Sequence, residues 1–377
     1  MKNIAIVVHK YLPQPDDDLA YFLNRKKNIN IFHIKHSFSD AKDRCSVLRK
    51  YLNGLQIDEI KTLDYKFLPE VLIYIKEFIF TVKWLILTNK KFDLYIGMDG
   101  LCTLFGLFLQ KFRICKKVVY WNMDFVPFNR FEYKWKNVLY NKVNSYACKK
   151  ADEVWDISPR MEKGRKQYLD VYKKDYKMHR VMPYGVWTHQ IKTISYEKSQ
   201  KHTLVFMGHL LKKQGVDMII KKIPDILIKI PDFEFKIIGD GNYKDQLIRL
   251  ADILSVHKYC KFLGRLDDFH LNNEIAKASI SIAPYSTNKY SYTYYADPGK
   301  IKKYLACGVP VLLTNLSWNT HEIEKNECGL IIGDNGNDLV DKLLYLFRPK
   351  INEKFRKNAI KYSKSFDYEK IFSELNI

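Results

Sequence analysis

Short apolar runs along this chain end at glycines and are followed by stretches of helical period. Leu204-Val205-Phe206-Met207 stops at Gly208, and Met218 to Ile230 reads as the next helix. Phe235-Lys236-Ile237-Ile238 stops at Gly239-Asp240-Gly241, and Tyr243 to Leu254 follows as a helix. A third run closes at Phe262-Leu263-Gly264-Arg265, and a fourth, Ile280 to Pro284, follows a helix containing Leu271, Ile275 and Ala278. After Asp297-Pro298-Gly299-Lys300, the segment Lys300 to Cys307 has room for two helical turns, Gly308 ends them, and Val309 to Leu313 reads as a buried parallel strand. Strand, glycine turn and helix repeated at this spacing predict a doubly wound parallel sheet whose ligand loops gather beyond the carboxyl ends of its strands.

The first half carries the same rhythm. Asn3 to Val8, Asn30 to Ile34, Asp93 to Gly97 and Lys117 to Trp121 read as strands, and Ala151 to Ser158 leads into a helix near Pro159. Val181 to Val186 runs out toward a polar linker at about 190–202. The reading is therefore α/β, with one domain over 1–192 and a second over 200–355. A last helix, Phe366 to Phe372 within about 360–377, is expected to cross back onto the first domain.

The turns set the chemistry. A helix N-terminus carries amides with no partner inside the helix, so it attracts anions, and Lys300 adds a full positive charge at one such end. The turn Gly208 to Gly215 adds His209, Lys212 and Lys213, and Gly239 and Gly241 would let the backbone pass close to a bound nucleotide.

Taken in order, Gly208 to Gly215, Ile238 to Gly241, Phe262 to Arg265 and Asp297 to Pro310 resemble the donor-binding half of retaining GT-B glycosyltransferases, particularly the large fourth family (glycosyl transferases group 1). The resemblance implies two Rossmann-like domains facing a cleft. The donor would be a UDP- or GDP-linked sugar, and no metal or other cofactor would be needed. Donor contacts would come from Gly208, His209, Lys213, Gly239, Asp240, Gly241, Arg265, Leu266, Asp297, Pro298, Gly299 and Lys300. The acceptor would dock on the first domain, where Asp124, Asp99 and His9 are the candidates for direct catalytic roles. Each also has a structural reading, as a helix cap, a solvated carboxylate or a histidine satisfying a backbone group.

This chain departs from the family pattern in places. His209 and Gln214 stand where many relatives have arginine and lysine, with Lys212 or Lys213 as substitutes. The glutamate pair that commonly contacts the sugar and ribose falls on Tyr295 and Lys303, leaving Asp297 as the nearest acid for sugar hydroxyls. Trp121-Asn122-Met123-Asp124 replaces a histidine common after that strand, and Asp16, Asp17 and Asp18 occupy a loop often holding two glycines. A nucleotide-sugar epimerase is disfavoured by the lack of paired carboxylates, whereas a non-catalytic binding subunit fits the missing glutamates.

Composition then narrows the setting. A formal net charge of +21 calls for an acidic partner. No nucleic-acid motif is present and the aromatics fall within strands and helices, so an anionic membrane surface is favoured over nucleic acid. The segment 68–87 is apolar and aromatic with charges at 70, 76, 77 and 83, predicting one charged stripe on a helix that is either buried in its domain or laid in a lipid interface. Those charges disfavour a spanning helix. Arg160, Lys163, Arg165 and Lys166 would add attraction to lipid or form a solvated face. Seven cysteines form no Cys-x-x-Cys pair, and the apolar run Ile4 to Val8 is too short for a signal peptide. The expected setting is the cytoplasmic, inner face of the cell membrane, with a glycan or lipid-linked acceptor in cell-surface polysaccharide or glycolipid assembly.

Overall fold

The computed structural model describes residues 1–10, 15–37, 44–65, 67–128, 130–287, 292–375 and 377. Two units result, Met1–Pro183 and Tyr184–Ile377.

In the first unit, β1 (Lys2–Lys10) leads through α1 (Pro15–Asn24) to β2 (Ile29–Ser37), followed by a hairpin of β3 (Ser46–Leu52) and β4 (Leu55–Lys61). Then come α2 (Glu70–Leu87), β5 (Phe92–Gly97), α3 (Gly100–Lys111), β6 (Cys115–Asn122), α4 (Lys134–Lys150), β7 (Glu153–Asp156), α5 (Pro159–Leu169) and β8 (His179–Val181). The strand order is β4-β3-β2-β1-β5-β6-β7-β8. Ile4 to Val8 form the centre of β1, which lies parallel to both β2 and β5, in register at Ile4 with Ile31 and Leu94. The β3–β4 hairpin is antiparallel and turns at Asn53-Gly54, both in the left-handed region.

The helix over 68–87 forms, but its charges do not share one stripe: Lys76 and Glu77 are buried, Glu70 is half-buried and Lys83 is exposed. Lys76 and Glu77 point inward with Ile73, Thr81, Trp84 and Leu85, while Leu72, Ile75, Ile79 and Ile86 face out. Each inward charge has a partner: Lys76 donates to the Arg44 carbonyl at 2.9 Å and Glu77 meets His9. Arg165 departs likewise from the solvated basic face expected of α5. It is buried in a two-pronged ion pair with Asp156, while Lys163 and Lys166 stay exposed.

The second unit contains β9 (Gln200–Met207), α6 (Val216–Lys229), β10 (Glu234–Ile238), α7 (Lys244–Ile253), β11 (Cys260–Gly264), α8 (Asp268–Lys277) and β12 (Ala278–Ala283). It continues with α9 (Gly299–Ala306), β13 (Val311–Thr314), α10 (Thr320–Lys325), β14 (Gly329–Ile332), α11 (Leu339–Leu346), α12 (Pro349–Ser363) and α13 (Tyr368–Ser373). All pairings in the sheet, ordered β11-β10-β9-β12-β13-β14, are parallel, so every strand ends on the same edge. Helix α6 turns Val216, Ile219, Ile220, Ile223 and Ile226 onto a core shared with Leu204, Phe206, Phe235 and Ile237, the spacing of one helical face on one sheet. Near the end of the chain, Val186 bridges Asp367 and Trp187 packs on Tyr368 at 5.5 Å, so α13 rests on residues that cluster with the second unit.

Candidate functional site

The glycine turns of the second unit are stitched together. The Gly208 amide donates to the Ile238 carbonyl at 2.9 Å, and the Gly239 amide donates to the Gly264 carbonyl at 2.7 Å. Three neighbouring strands thus end in three mutually bonded turns. At Gly239, φ is +134° and an added Cβ would lie 1.9 Å from the Gly208 carbonyl oxygen; at Gly241 it would lie 2.4 Å from that of Leu210. The glycines expected to admit a nucleotide are thus first of all required by the approach of one turn to the next. The same bonds consume the Gly208 and Gly239 amides as donors. His209 lies exposed at the rim, and Asp240 accepts from the Gly241 amide at 2.9 Å.

Lys300, in the first turn of α9, reaches across to this cluster. Its ammonium donates to the Gln214 side-chain oxygen at 2.6 Å and lies 4.2 Å from the Phe206 ring centre and 4.8 Å from that of Tyr285. It also stands 2.9 Å from where a Cβ on Gly208 would be. Among the described residues, no carboxylate lies within ion-pairing distance of Lys300. Burial pushes its ammonium down to about 7. Lys213, in the turn before α6, is also lowered by burial, and its carbonyl accepts from the Ser286 amide at 3.1 Å. Gly299 has open space: an added Cβ there would meet nothing closer than Tyr184, at 4.0 Å. Pro298 occupies the N-cap position of α9.

Asp297 does something other than the expected contact with sugar hydroxyls. It is 1% exposed, with one carboxylate oxygen taking Lys302 and the Trp318 indole N–H at 2.7 Å, and the other the Tyr184 amide at 2.7 Å. The carboxylate is spent on fixing the loop before α9. The two positions aligned with the family's glutamates offer no acid either: Tyr295 is buried and Lys303 pairs with Asp268 at 2.6 Å. Arg265 is exposed beyond β11, and Leu266 packs on the apolar cluster under β12 and β13.

In the first unit, His9 and Asp99 come together at the ends of β1 and β5, while Asp124 belongs to a separate cluster. His9 Nδ1 lies 2.5 Å from Asp99 Oδ2, and Nε2 lies 3.0 Å from Glu77 Oε2. Burial opposes the imidazolium, but the Asp99 charge and hydrogen bond lift His9 well above its ordinary value. Asp99 is pushed up by burial, yet His9 brings its carboxyl down to about 2, and its other oxygen caps α3 by accepting from the Cys102 amide at 2.7 Å. Both ring nitrogens of His9 are thus engaged by acidic side chains, which ties the end of β1 to α2 and to the start of α3. Asp124 holds Arg130, whose guanidinium stacks over Tyr140 at 4.9 Å, and the Tyr140 hydroxyl donates to Asp124 at 3.3 Å. Of the three acids that stand where glycines are common, Asp16 pairs with His33 at 2.8 Å inside the fold, while Asp17 is exposed and pairs with Lys35 at 2.5 Å. Arg130 is absent from the sequence reading, and Glu77 and Gln214 enter it only as a charge on a helix and as a departure from the family pattern. Glu77 could have been found by asking which partner a histidine ending a buried strand requires.

Residues 189–366 match the family of glycosyl transferases group 1. A GDP-mannose-dependent monoacylated alpha-(1-6)-phosphatidylinositol monomannoside mannosyltransferase of Corynebacterium glutamicum is 32% identical over 153 residues, covering 41% of this chain and 39% of that protein. The chain thus spans about two fifths of the length of this curated relative. A sucrose-phosphate synthase from Thermosynechococcus elongatus superposes over 100% of this chain and 97% of its own with a TM-score of 0.71 at 14% identity. HepE from Anabaena, solved in complex with UDP, covers 100% of this chain and 98% of its own with a TM-score of 0.69, also at 14% identity. Residues 189–366 thus match a glycosyl transferases group 1 domain, in a two-unit chain whose fold is that of the GT-B glycosyltransferases.

Proposed function

We propose that this chain transfers a sugar from a nucleoside-diphosphate sugar, uridine- or guanosine-linked, to a glycan or lipid-linked acceptor. Transfer would proceed with retention at the anomeric carbon, in cell-surface polysaccharide or glycolipid assembly at the inner face of the membrane. The observation that carries this reading is Lys300, an ammonium without a carboxylate partner among the described residues, held at the strand-end edge beside the first turn of α9. When the anomeric carbon loses its diphosphate, negative charge builds on the bridging and terminal oxygens. Lys300 and the first amides of α9 supply positive charge with its orientation already fixed, so little reorganisation is needed as that charge develops. Open space at Gly299 leaves room for an anion to approach those amides. The family match over 189–366 and a relative described as GDP-mannose-dependent support the same chemistry.

A second reading, a non-catalytic binding subunit, draws on the absence of both expected glutamates, replaced by buried Tyr295 and ion-paired Lys303. Incubation with UDP- and GDP-sugars, with release of free sugar and nucleotide followed over hours, separates the two. A transferase leaks sugar slowly to water, with the leak lost in Lys300→Met. Intact donor in every case, together with saturable nucleotide binding, would transfer the chain to the second reading.

A further inference from the structure

We infer that the outward face of α4, flanked by the apolar stripe of α2, is the surface on which this chain seats against an anionic lipid bilayer. The inference rests on the membrane-associated reading above and deepens it, but uses nothing from the nucleotide site. Helix α4 contains Lys134, Lys136, Lys142, Lys149 and Lys150 and no aspartate or glutamate. It buries only Asn144, Ala147 and Cys148. Its large apolar side chains point the other way: Trp135, Val138, Leu139 and Tyr146 are each more than half exposed. Trp135, Leu139, Lys142 and Tyr146 recur at helical spacing and share one face. A helix that turns its apolar and aromatic residues outward between lysines has the make-up of one lying in a lipid interface, with rings among the headgroups and ammonium groups beside lipid phosphates.

Helix α2 continues this surface. Lys136 pairs with Glu70 at 2.5 Å, joining the first turns of the two helices, and Phe78 packs on Phe108 of α3 at 5.0 Å. Leu72, Ile75, Ile79 and Ile86 are exposed along α2, with Lys83 the charge among them. Between α4 and the end of α5 runs a groove lined by Lys142, Ser145, Tyr146, Lys149, Tyr168 and Asp170, where two ammonium groups outnumber the one carboxylate and, with two hydroxylated rings, suit a phosphate headgroup. Charge decides the occupant. Lys136 apart, a second copy would bring Lys134, Lys142, Lys149 and Lys150 against the same four, whereas an anionic bilayer complements both these lysines and the chain's +21. Among the described residues no helix is long and apolar enough to cross a membrane, so the contact is a surface one.

The full chain should be sedimented with vesicles of phosphatidylcholine alone and of phosphatidylcholine mixed with phosphatidylglycerol. Binding is expected to the mixed vesicles, at least about tenfold tighter than to neutral ones, and weakening as salt is raised. The Trp135→Glu/Leu139→Glu variant should lose about tenfold or more, and Lys142→Ser/Lys149→Ser should flatten the salt dependence. Ile228→Glu, at an exposed apolar position of the second unit, should leave binding unchanged. Nucleotide-induced thermal stabilisation, measured on the same variants, should match the parent, which separates failure of this face from failure of the donor site. Quenching of tryptophan fluorescence by bromine-labelled acyl chains, present in the parent and diminished in Trp135→Phe, gives a readout that a folding defect does not mimic. Equal binding to neutral and anionic vesicles, no binding to either, or binding indifferent to Trp135→Glu/Leu139→Glu would overturn the inference. So would a dimer in light scattering that the same variant dissolves, which would give the face to a second copy.

Discussion

The Lys300 ammonium donates to the Gln214 side chain at 2.6 Å, tying the first turn of α9 to the turn that follows β9. The resemblance expects a lysine at position 214, and with glutamine there this position accepts a hydrogen bond from a cation instead of supplying one. Two aromatic faces, Phe206 and Tyr285, complete the surroundings. Rings and an amide oxygen hold an ammonium in place without neutralising it, leaving its charge for an incoming anion.

Lys300→Met is therefore expected to separate binding from folding. The apo protein should melt no lower than the parent, because the change removes a desolvated charge and keeps the apolar stem against Phe206. Saturating UDP or GDP, worth about 2.7 kcal/mol to the parent at a hundredfold excess over Kd, should give the variant little or no stabilisation. Thermal melts with and without nucleotide test this. A variant stabilised as much as the parent would remove Lys300 from the donor site.

The same residue predicts opposite pH trends for stability and affinity. Burial lowers Lys300 to about 7, so between about 7 and 10.5 the unfolded chain holds a proton that the folded chain has released. Unfolding then takes up protons, and this group's contribution to stability rises with pH across that window. A diphosphate prefers the ammonium, so affinity should fall above about pH 7, by up to tenfold per unit until the pKa in the complex is passed. Calorimetric titration with the favoured nucleotide at stepped pH should show that fall in the parent and a flat profile in Lys300→Met.

What the sequence disclosed follows from which residues face inward. The donor half is legible because its strands carry short apolar runs and three of them meet a glycine whose need is local: Gly208, Gly239 and Gly264 all sit at positive φ. The Asn53-Gly54 pair marks the β3–β4 hairpin just as plainly, yet that hairpin was not read, its strands being largely polar and half-exposed. Helix α4 left no trace, because its apolar residues face outward and its buried face is Asn144, Ala147 and Cys148. Helix α2 is legible as an element but its inward face is not, since nothing local says that Glu77 has a histidine waiting inside. Asp297 was seen as a loop carboxylate. Its capture by Lys302, Trp318 and the Tyr184 amide depends on segments as distant as residue 184.

His9 should behave as a structural cation. His9→Gln leaves Glu77, already with one buried oxygen lacking a partner, beside Asp99 without a charge between them. A loss of about 3 kcal/mol is expected, the scale of breaking a buried ion pair. The pH signature distinguishes this from simple loss of packing. His9 is raised in the folded chain, so its contribution is complete below about 6.5 and disappears as pH rises through its folded value. Asp99 is lowered to about 2, so its contribution is present above about 4 and is lost as pH falls through about 2. Urea unfolding at stepped pH should show the stability advantage of the parent over His9→Gln shrinking on the alkaline side, a difference from which the opposite slope of Lys300, common to both chains, cancels. A variant that loses turnover while keeping the parent's stability and pH dependence would restore His9 as a catalytic group.

Asp297 and Lys302 give the complementary case, in which removing one partner should do more harm than removing both. Both side chains are fully buried, and burial presses the Lys302 ammonium toward the neutral form while Asp297 opposes that. Asp297→Ala strands the ammonium and deprives the Trp318 indole and the Tyr184 amide of their acceptor, for an expected loss of about 3–5 kcal/mol. Adding Lys302→Met removes the stranded charge, and the double variant should recover a substantial part of that loss, about 1–3 kcal/mol. Urea unfolding of the parent, the two single variants and the double variant closes the cycle. Strict additivity would mean that the pair contributes no coupling. A single Asp297→Ala variant that keeps full stability but loses affinity for the sugar conjugate, while still binding the bare nucleotide, would return Asp297 to the substrate.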